Sequence, residues 1–308
     1  MSAVAHLTPK TIGMLLIPPF FWAGNVVLGR LIQDLCPPVT LNFLRWLAAF
    51  LLVLPLAWRV LLPSGPVWRS WRRYALIGFL GVGTYNSFQY LALQTSSPLN
   101  ITLVASSTPV FMLGLGAMFF GLKVRKRQWL GAALSITGVL AVLSRGDWHN
   151  LMQVHWVMGD LYILLATVEW AWYSWLLTQP KDPPALRADW AGFLMAQLAF
   201  GLIWSGLFAG IEWSSTQAEI VWGWSLMGAI VAIAIGPAVL AYRFWSLGVQ
   251  RVGPGVAGFF ANLTPVFAAT LSVLALGELP QLYHVAAFVL IVGGIVVSSL
   301  CTRGDARI

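Results

Sequence analysis

The chain of 308 residues is 59% hydrophobic and only 9% charged, with a mean hydropathy of +0.79. Soluble domains carry about 25% charged residues, so a chain this apolar has lipid as its solvent and a water-soluble globule is excluded. The net charge of +8 would suggest a nucleic-acid partner in a soluble protein. Here it resides in residues that flank apolar runs, where lysine and arginine meet lipid head groups, and no basic and aromatic groove is present to follow a phosphate backbone.

A transmembrane helix needs about 20 mostly apolar residues. On that basis the chain divides into ten spans: 12–31, 39–58, 74–93, 99–121, 129–143, 157–177, 190–211, 222–247, 255–277 and 285–301. The fifth is the shortest, and the connections leave no room for a soluble domain. No short apolar core with a small-residue cleavage site opens the chain, so the first span is expected to be retained. With the N-terminus inside, the cytoplasmic segments hold fourteen of the 18 basic residues, from Lys10 through the Lys123–Arg127 run to Arg307. Arg30 and Arg145 fall at outer ends, and Arg45 and Arg243 lie within spans. This bias predicts both termini on the cytoplasmic side of the cytoplasmic membrane. Trp58, Trp71, Trp129, Trp156, Trp190, Trp213 and Trp222 sit near span ends, as interfacial anchors do.

The chain also repeats itself. Thr108-Pro109-Val110-Phe111 recurs as Thr264-Pro265-Val266-Phe267, and the same shift carries Pro98 to Pro254 and Gly138 to Gly294. Near the start of each half, Phe21-Trp22-Ala23 has a looser counterpart in Glu169-Trp170-Ala171. Each half, 1–145 and 157–303, holds five spans. An odd number makes the second copy cross in the opposite sense. The expected fold is therefore an all-α membrane protein of ten helices, built as two inverted five-helix repeats. That architecture places a central site near the bilayer midplane in secondary transporters.

These motifs resemble the drug/metabolite transporter superfamily, in particular its EamA-type ten-helix branch. The matching residues are Phe21 to Val26, Arg45 to Ala49, the two Pro-Val helices, Gly159-Asp160 ahead of Trp170 to Tyr173, and Gly277-Glu278. Leu122, the repeat mate of Glu278, departs from the family's Gly-Glu pair and opens a basic cytoplasmic run. The resemblance implies movement of amino acids, nucleotide-sugar precursors, drugs or other small metabolites, with export common among bacterial members.

Polar residues inside spans need partners or water. Tyr85, Asn86 and Gln89 suit either a cavity wall or helix–helix glue. Pro109 and Pro265 free the carbonyls of Ala105 and Ala261, beside Ser106 and Asn262, either to face a cavity or merely to bend a helix. Trp22 with Asn25, and Trp172 with Tyr173, are candidates for stacking on a ligand or for packing. Arg45 is within snorkelling reach of its outer end; the resemblance implies a further role in pairing with an acid or a substrate carboxylate. Arg243 reads as a snorkeller. Glu169 is the only acid placed near the bilayer centre, where a charge costs about 2.5–3.5 kcal/mol to insert. It suits proton coupling, recognition of an amino group, or pairing with Arg45.

The two cysteines, Cys36 and Cys301, exclude a disulfide framework, and the four histidines lie in tails or connections. Neither a metal nor another cofactor is expected, and no nucleophile elbow or phosphate-cradling loop appears. The expected function is secondary transport of small metabolites by alternating access, with export of amino acids or similar amphipathic molecules first. Protons are a candidate co-substrate and lipids are the surroundings. A multidrug or cation exporter, a nucleotide-sugar carrier, a scramblase and a membrane-embedded enzyme are the rivals. Two basic residues within spans are few for a nucleotide.

Overall fold

The computed structural model describes residues 7–153, 155–216, 219–276 and 281–299. Gly277, Glu278, Cys301, Arg303 and Arg307 lie outside the described residues. All regular structure among the described residues is helical. The first half holds α1 (Pro9–Leu31), α2 (Pro38–Ala57), α3 (Pro66–Arg69), α4 (Trp71–Gly78), α5 (Tyr85–Thr95), α6 (Pro98–Ala105), α7 (Thr108–Phe119) and α8 (Lys126–Leu143). The second holds α9 (Met158–Thr178), α10 (Pro184–Ala188), α11 (Trp190–Ser215), α12 (Trp224–Ile233), α13 (Ala241–Val252), α14 (Pro254–Ala261), α15 (Thr264–Leu276) and α16 (Leu282–Ser299). Among the described residues, seven helices are long and apolar enough to cross a membrane. Segments 71–95, 126–143 and 158–178 are helical as well, so each of the ten apolar runs contains a helix.

The helix breaks follow local chemistry. A π-helical turn, Phe79–Thr84, joins α4 to α5, and another, Ala234–Leu240, joins α12 to α13. The second contains Pro237, whose missing N–H and ring clash a widened turn absorbs. Gly81 holds the matching position in the first. Between α6 and α7, and again between α14 and α15, the Thr-Pro of the repeated motif restarts the helix. The Thr108 hydroxyl donates to the Ala105 carbonyl at 2.6 Å, and Thr264 does the same for Ala261 at 2.7 Å. The carbonyls freed by proline are thus already engaged by the neighbouring threonine.

Small residues set the closest approaches. A methyl group added at Gly131 of α8 would stand 2.7 Å from the Gly294 carbonyl oxygen of α16, and one at Gly138 would stand 2.8 Å from that of Ala287. Residue numbers rise along one helix as they fall along the other, so α8 and α16 run antiparallel. Each glycine meets the repeat mate of the other, the pattern of a two-fold contact. Gly78 and Gly201 let the third and seventh apolar segments cross: a methyl at Gly78 would lie 2.7 Å from the Gln197 carbonyl oxygen.

Polar anchors tie the ends. Glu212, at the end of α11, caps the start of α2, accepting from the Val39 and Thr40 amides at 3.0 and 2.7 Å. A carboxylate there also complements the helix dipole. Asp160, 1% exposed, accepts from Ser96, from the Asn100 amide at 3.0 Å and from its own Val157 N–H at 2.9 Å. At the opposite ends of the same segments, Arg73 grips Asp182 through two 2.7 Å bonds. The α4–α5 segment and the α9 segment are therefore tied to each other at both ends.

Candidate functional site

A cavity of about 140 Å³ lies among α1, α5, α6, α7, α8, α9, α14 and α15. Six of the residues singled out in the sequence line it: Trp22, Asn25, Tyr85, Gln89, Ser106 and Asn262. Thr102, Thr108, Ile163, Trp170 and Pro265 complete the polar and apolar walls. None of the lining residues is charged.

The aromatic side of the cavity centres on Trp170. Tyr85 stacks on it at 4.6 Å, and Trp22 meets it edge-on at 5.1 Å. Trp245 closes the same cluster from behind, 5.2 Å from Trp22 and 5.4 Å from Trp170. The polar side comes from amides. Gln89 donates to the Tyr85 hydroxyl at 3.0 Å. Asn262 donates to the Ser106 carbonyl at 3.1 Å and to Ser135 at 2.9 Å.

Four candidates lie behind the walls. Asn86 is buried, accepting from Arg45 at 2.8 Å and donating to the Tyr242 hydroxyl at 3.3 Å. Tyr173 is buried against Trp170 and donates to Gln197 at 2.7 Å. Trp172 packs edge-on against Phe119 and Phe120, away from the cavity. Glu169 has Thr84 as its polar neighbour, and its Oε2 is buried with no hydrogen-bond partner.

Arg45 departs from the expected snorkelling. It is 1% exposed and turns inward, donating to Asn86 and, at 3.0 Å, to the Tyr90 hydroxyl. Its guanidinium lies 4.9 Å from the Trp46 ring. It does not pair with Glu169: its Nη1 is engaged by Asn86 and Tyr90 on the facing turn of α5. Arg243 likewise stacks on Trp190 at 4.2 Å instead of reaching solvent freely.

Sequence reasoning did not single out Tyr90 and Tyr242. Tyr90 stands four residues after Asn86, on the same helix face. Tyr242 is the repeat mate of Asn86, so the internal repeat carried a usable signal for it. Three mate pairs in fact touch: Trp22 with Trp170, Asn86 with Tyr242, and Ser106 with Asn262.

The end of the bundle holding Lys123–Arg127 is sealed below the cavity. Trp175 donates to the Met112 carbonyl at 2.8 Å, and Phe120 stacks on its ring at 5.0 Å. Gly116 makes the notch for that ring, since a methyl there would stand 2.3 Å from it.

The model of the EamA-like transporter family matches residues 9–144 and 157–300. The chain belongs to that family. It is 28% identical to an aromatic amino acid exporter of Ancylobacter novellus, over 79% of each chain. It is 27% identical to the uncharacterized inner membrane transporter YedA of Escherichia coli K12, over 83% of this chain and 80% of that one. A transporter of Bacillus subtilis, YyaM, is 28% identical over 73% and 72%. A crystal structure superposes with a TM-score of 0.72 at 22% identity, covering 96% of this chain and 98% of the other, a likeness of fold. The protein is thus a multi-pass membrane transporter of the drug/metabolite type, and its relatives are transporters rather than enzymes.

Proposed function

We propose that this protein is a ten-span secondary transporter of the cytoplasmic membrane that exports amino acids or similar small amphipathic molecules by alternating access. The observation that carries this reading is the meeting of repeat mates around one cavity. Residues touch their own symmetry mates only near a two-fold axis; two of the three pairs, Trp22–Trp170 and Ser106–Asn262, line the cavity, which supports an axis passing through it. Antiparallel packing of the mates α8 and α16 supports an axis perpendicular to the helices and lying in the membrane plane. Inverted repeats about such an axis give two equivalent states, one facing each side.

Several features support the finer points. The cavity sits from the middle toward the ends that the charge bias assigns to the outside, while the basic end is plugged by Trp175, Phe120 and Met112. This is the arrangement of an outward-facing state. An uncharged lining with an aromatic wall and convergent amides suits a molecule with an apolar body and a polar head, and the aromatic amino acid exporter among the relatives favours the same class. A nucleotide would want basic groups in the cavity, and none lines it.

The test is a substrate screen in reconstituted vesicles, with and without a pH gradient. Uptake of an amino acid that exceeds empty vesicles and collapses on adding excess unlabelled substrate is the expected result. Movement of lipid head groups between leaflets, with no solute uptake, would replace this reading with a scramblase.

A further inference from the structure

Arg45 is a cation sealed in the interior, and no carboxylate among the described residues pairs with it. Its hydrogen bonds go to Asn86 and Tyr90, its rings are Trp46 and Tyr90, and its Nε has no partner. A buried charge left without its counter-charge is costly, so its neighbourhood bears the mark of what offsets it.

A guanidinium can only donate, and that sets the direction of every bond leading from it. Along one branch Arg45 donates to the Tyr90 hydroxyl at 3.0 Å, and Tyr90 donates to Asn25 Oδ1 at 3.1 Å. The oxygen end of the Asn25 amide is thereby occupied. Among the described residues its nitrogen end has no partner, and Asn25 lines the cavity. Along the other branch Arg45 holds Asn86 Oδ1, Asn86 donates to Tyr242, and Tyr242 donates to the Gly81 carbonyl, so that branch ends in the backbone. Only the first branch reaches the cavity, and it arrives as a donor.

Other amides of the lining have the opposite sense. Asn262 spends its nitrogen on Ser106 and Ser135, and Gln89 spends its nitrogen on Tyr85, which leaves their carbonyl oxygens as acceptors.

We propose that Arg45 is a positioning residue that, through Tyr90, fixes Asn25 as a donor and makes that end of the cavity an anion-accepting pole, so the transported molecule docks a carboxylate there. This rests on the reading of the cavity as the transport site and adds the polarity of its ligand. Arg45 itself does not touch the ligand.

The test compares two probes that differ only in the carboxylate, phenylalanine and phenethylamine. Their stabilisation of the detergent-purified full chain is measured by thermal shift, and their flux in vesicles separately. Wild type is expected to bind the acid at least about tenfold more tightly than the amine, the size of preference a site built on hydrogen bonding can give. Tyr90→Phe keeps the ring and removes the relay, and should bring the ratio close to one. Asn25→Asp should invert it in favour of the amine. Arg45→Met should act like Tyr90→Phe, and if it fails to fold the other two variants decide. A wild type without preference for the acid, or a Tyr90→Phe ratio equal to wild type, overturns the proposal. Selective binding with no flux of either probe leaves the pole standing and overturns the transport reading instead.

Discussion

Glu169 and Arg45 show how a side chain's role is decided by its nearest acceptors. Both were candidates for one ion pair. Arg45 finds Asn86 and Tyr90 first, and Glu169 is left near Thr84 with Oε2 unpartnered. An acid midway along α9 with an orphaned oxygen is placed to exchange a proton or to meet a cation during the transport cycle. Glu169→Gln keeps the shape and removes the charge. It is expected to abolish gradient-driven transport or flatten its pH dependence while leaving insertion and yield unchanged. Normal transport by this variant at every pH tested would reduce Glu169 to a packing contact. Cys36, in the connection between α1 and α2, makes a second test. It is 3% exposed, and burial together with Glu212 pushes its thiol up to about 12. Since the thiolate is the reactive form, an impermeant maleimide should label Cys36 on intact cells only slowly at pH 7, and at pH 9 still far more slowly than an exposed thiol. Rapid labelling at pH 7 would show that this connection is not packed as described.

Among elements, the antiparallel pair α8 and α16 gives the sharpest stability prediction. Gly131→Ala sets a methyl 2.7 Å from a backbone oxygen, so the helices must separate. Overpacking of this kind costs roughly 1–3 kcal/mol. Gly293→Ala is the control, because nothing lies within 4 Å of its added methyl. Melting in detergent should fall for the first and hold or rise for the second; equal melting would mean that the two helices do not cross at these glycines. The Arg73–Asp182 clamp is the polar counterpart, with the Asp182 side chain wholly buried. Asp182→Asn leaves Arg73 without its counter-charge, and losing one member of a buried pair costs about 3–5 kcal/mol. A loss under about 1 kcal/mol, the range of solvated pairs, would show that the clamp is open to water.

At the scale of the whole molecule, the cavity and the plug define one facing state. In a cysteine-free background, Ala105→Cys at the cavity wall should react with an impermeant reagent added outside, whereas Leu113→Cys, buried near the plug, should not. The reverse pattern would turn the molecule over. Ligand that drives the alternate state should slow the first and expose the second.

Ten apolar runs, the basic bias and the repeat were all legible in the sequence, because partition into lipid depends on composition along the chain and an internal shift needs no coordinates. The same holds for the helix breaks at Thr-Pro, whose chemistry is local. The candidate site was legible in part: Trp22, Asn25, Tyr85, Gln89, Ser106 and Asn262 stand out as polar or aromatic residues in apolar runs, and they converge on one cavity. Which face each helix turns inward was not legible. Hydrophobic residues surround these helices, so no amphipathic stripe tells the core from the lipid. Packing therefore decided that Trp172 turns away, that Tyr173 and Asn86 lie behind the wall, and that Arg45 reaches the cavity only through Tyr90 and Asn25.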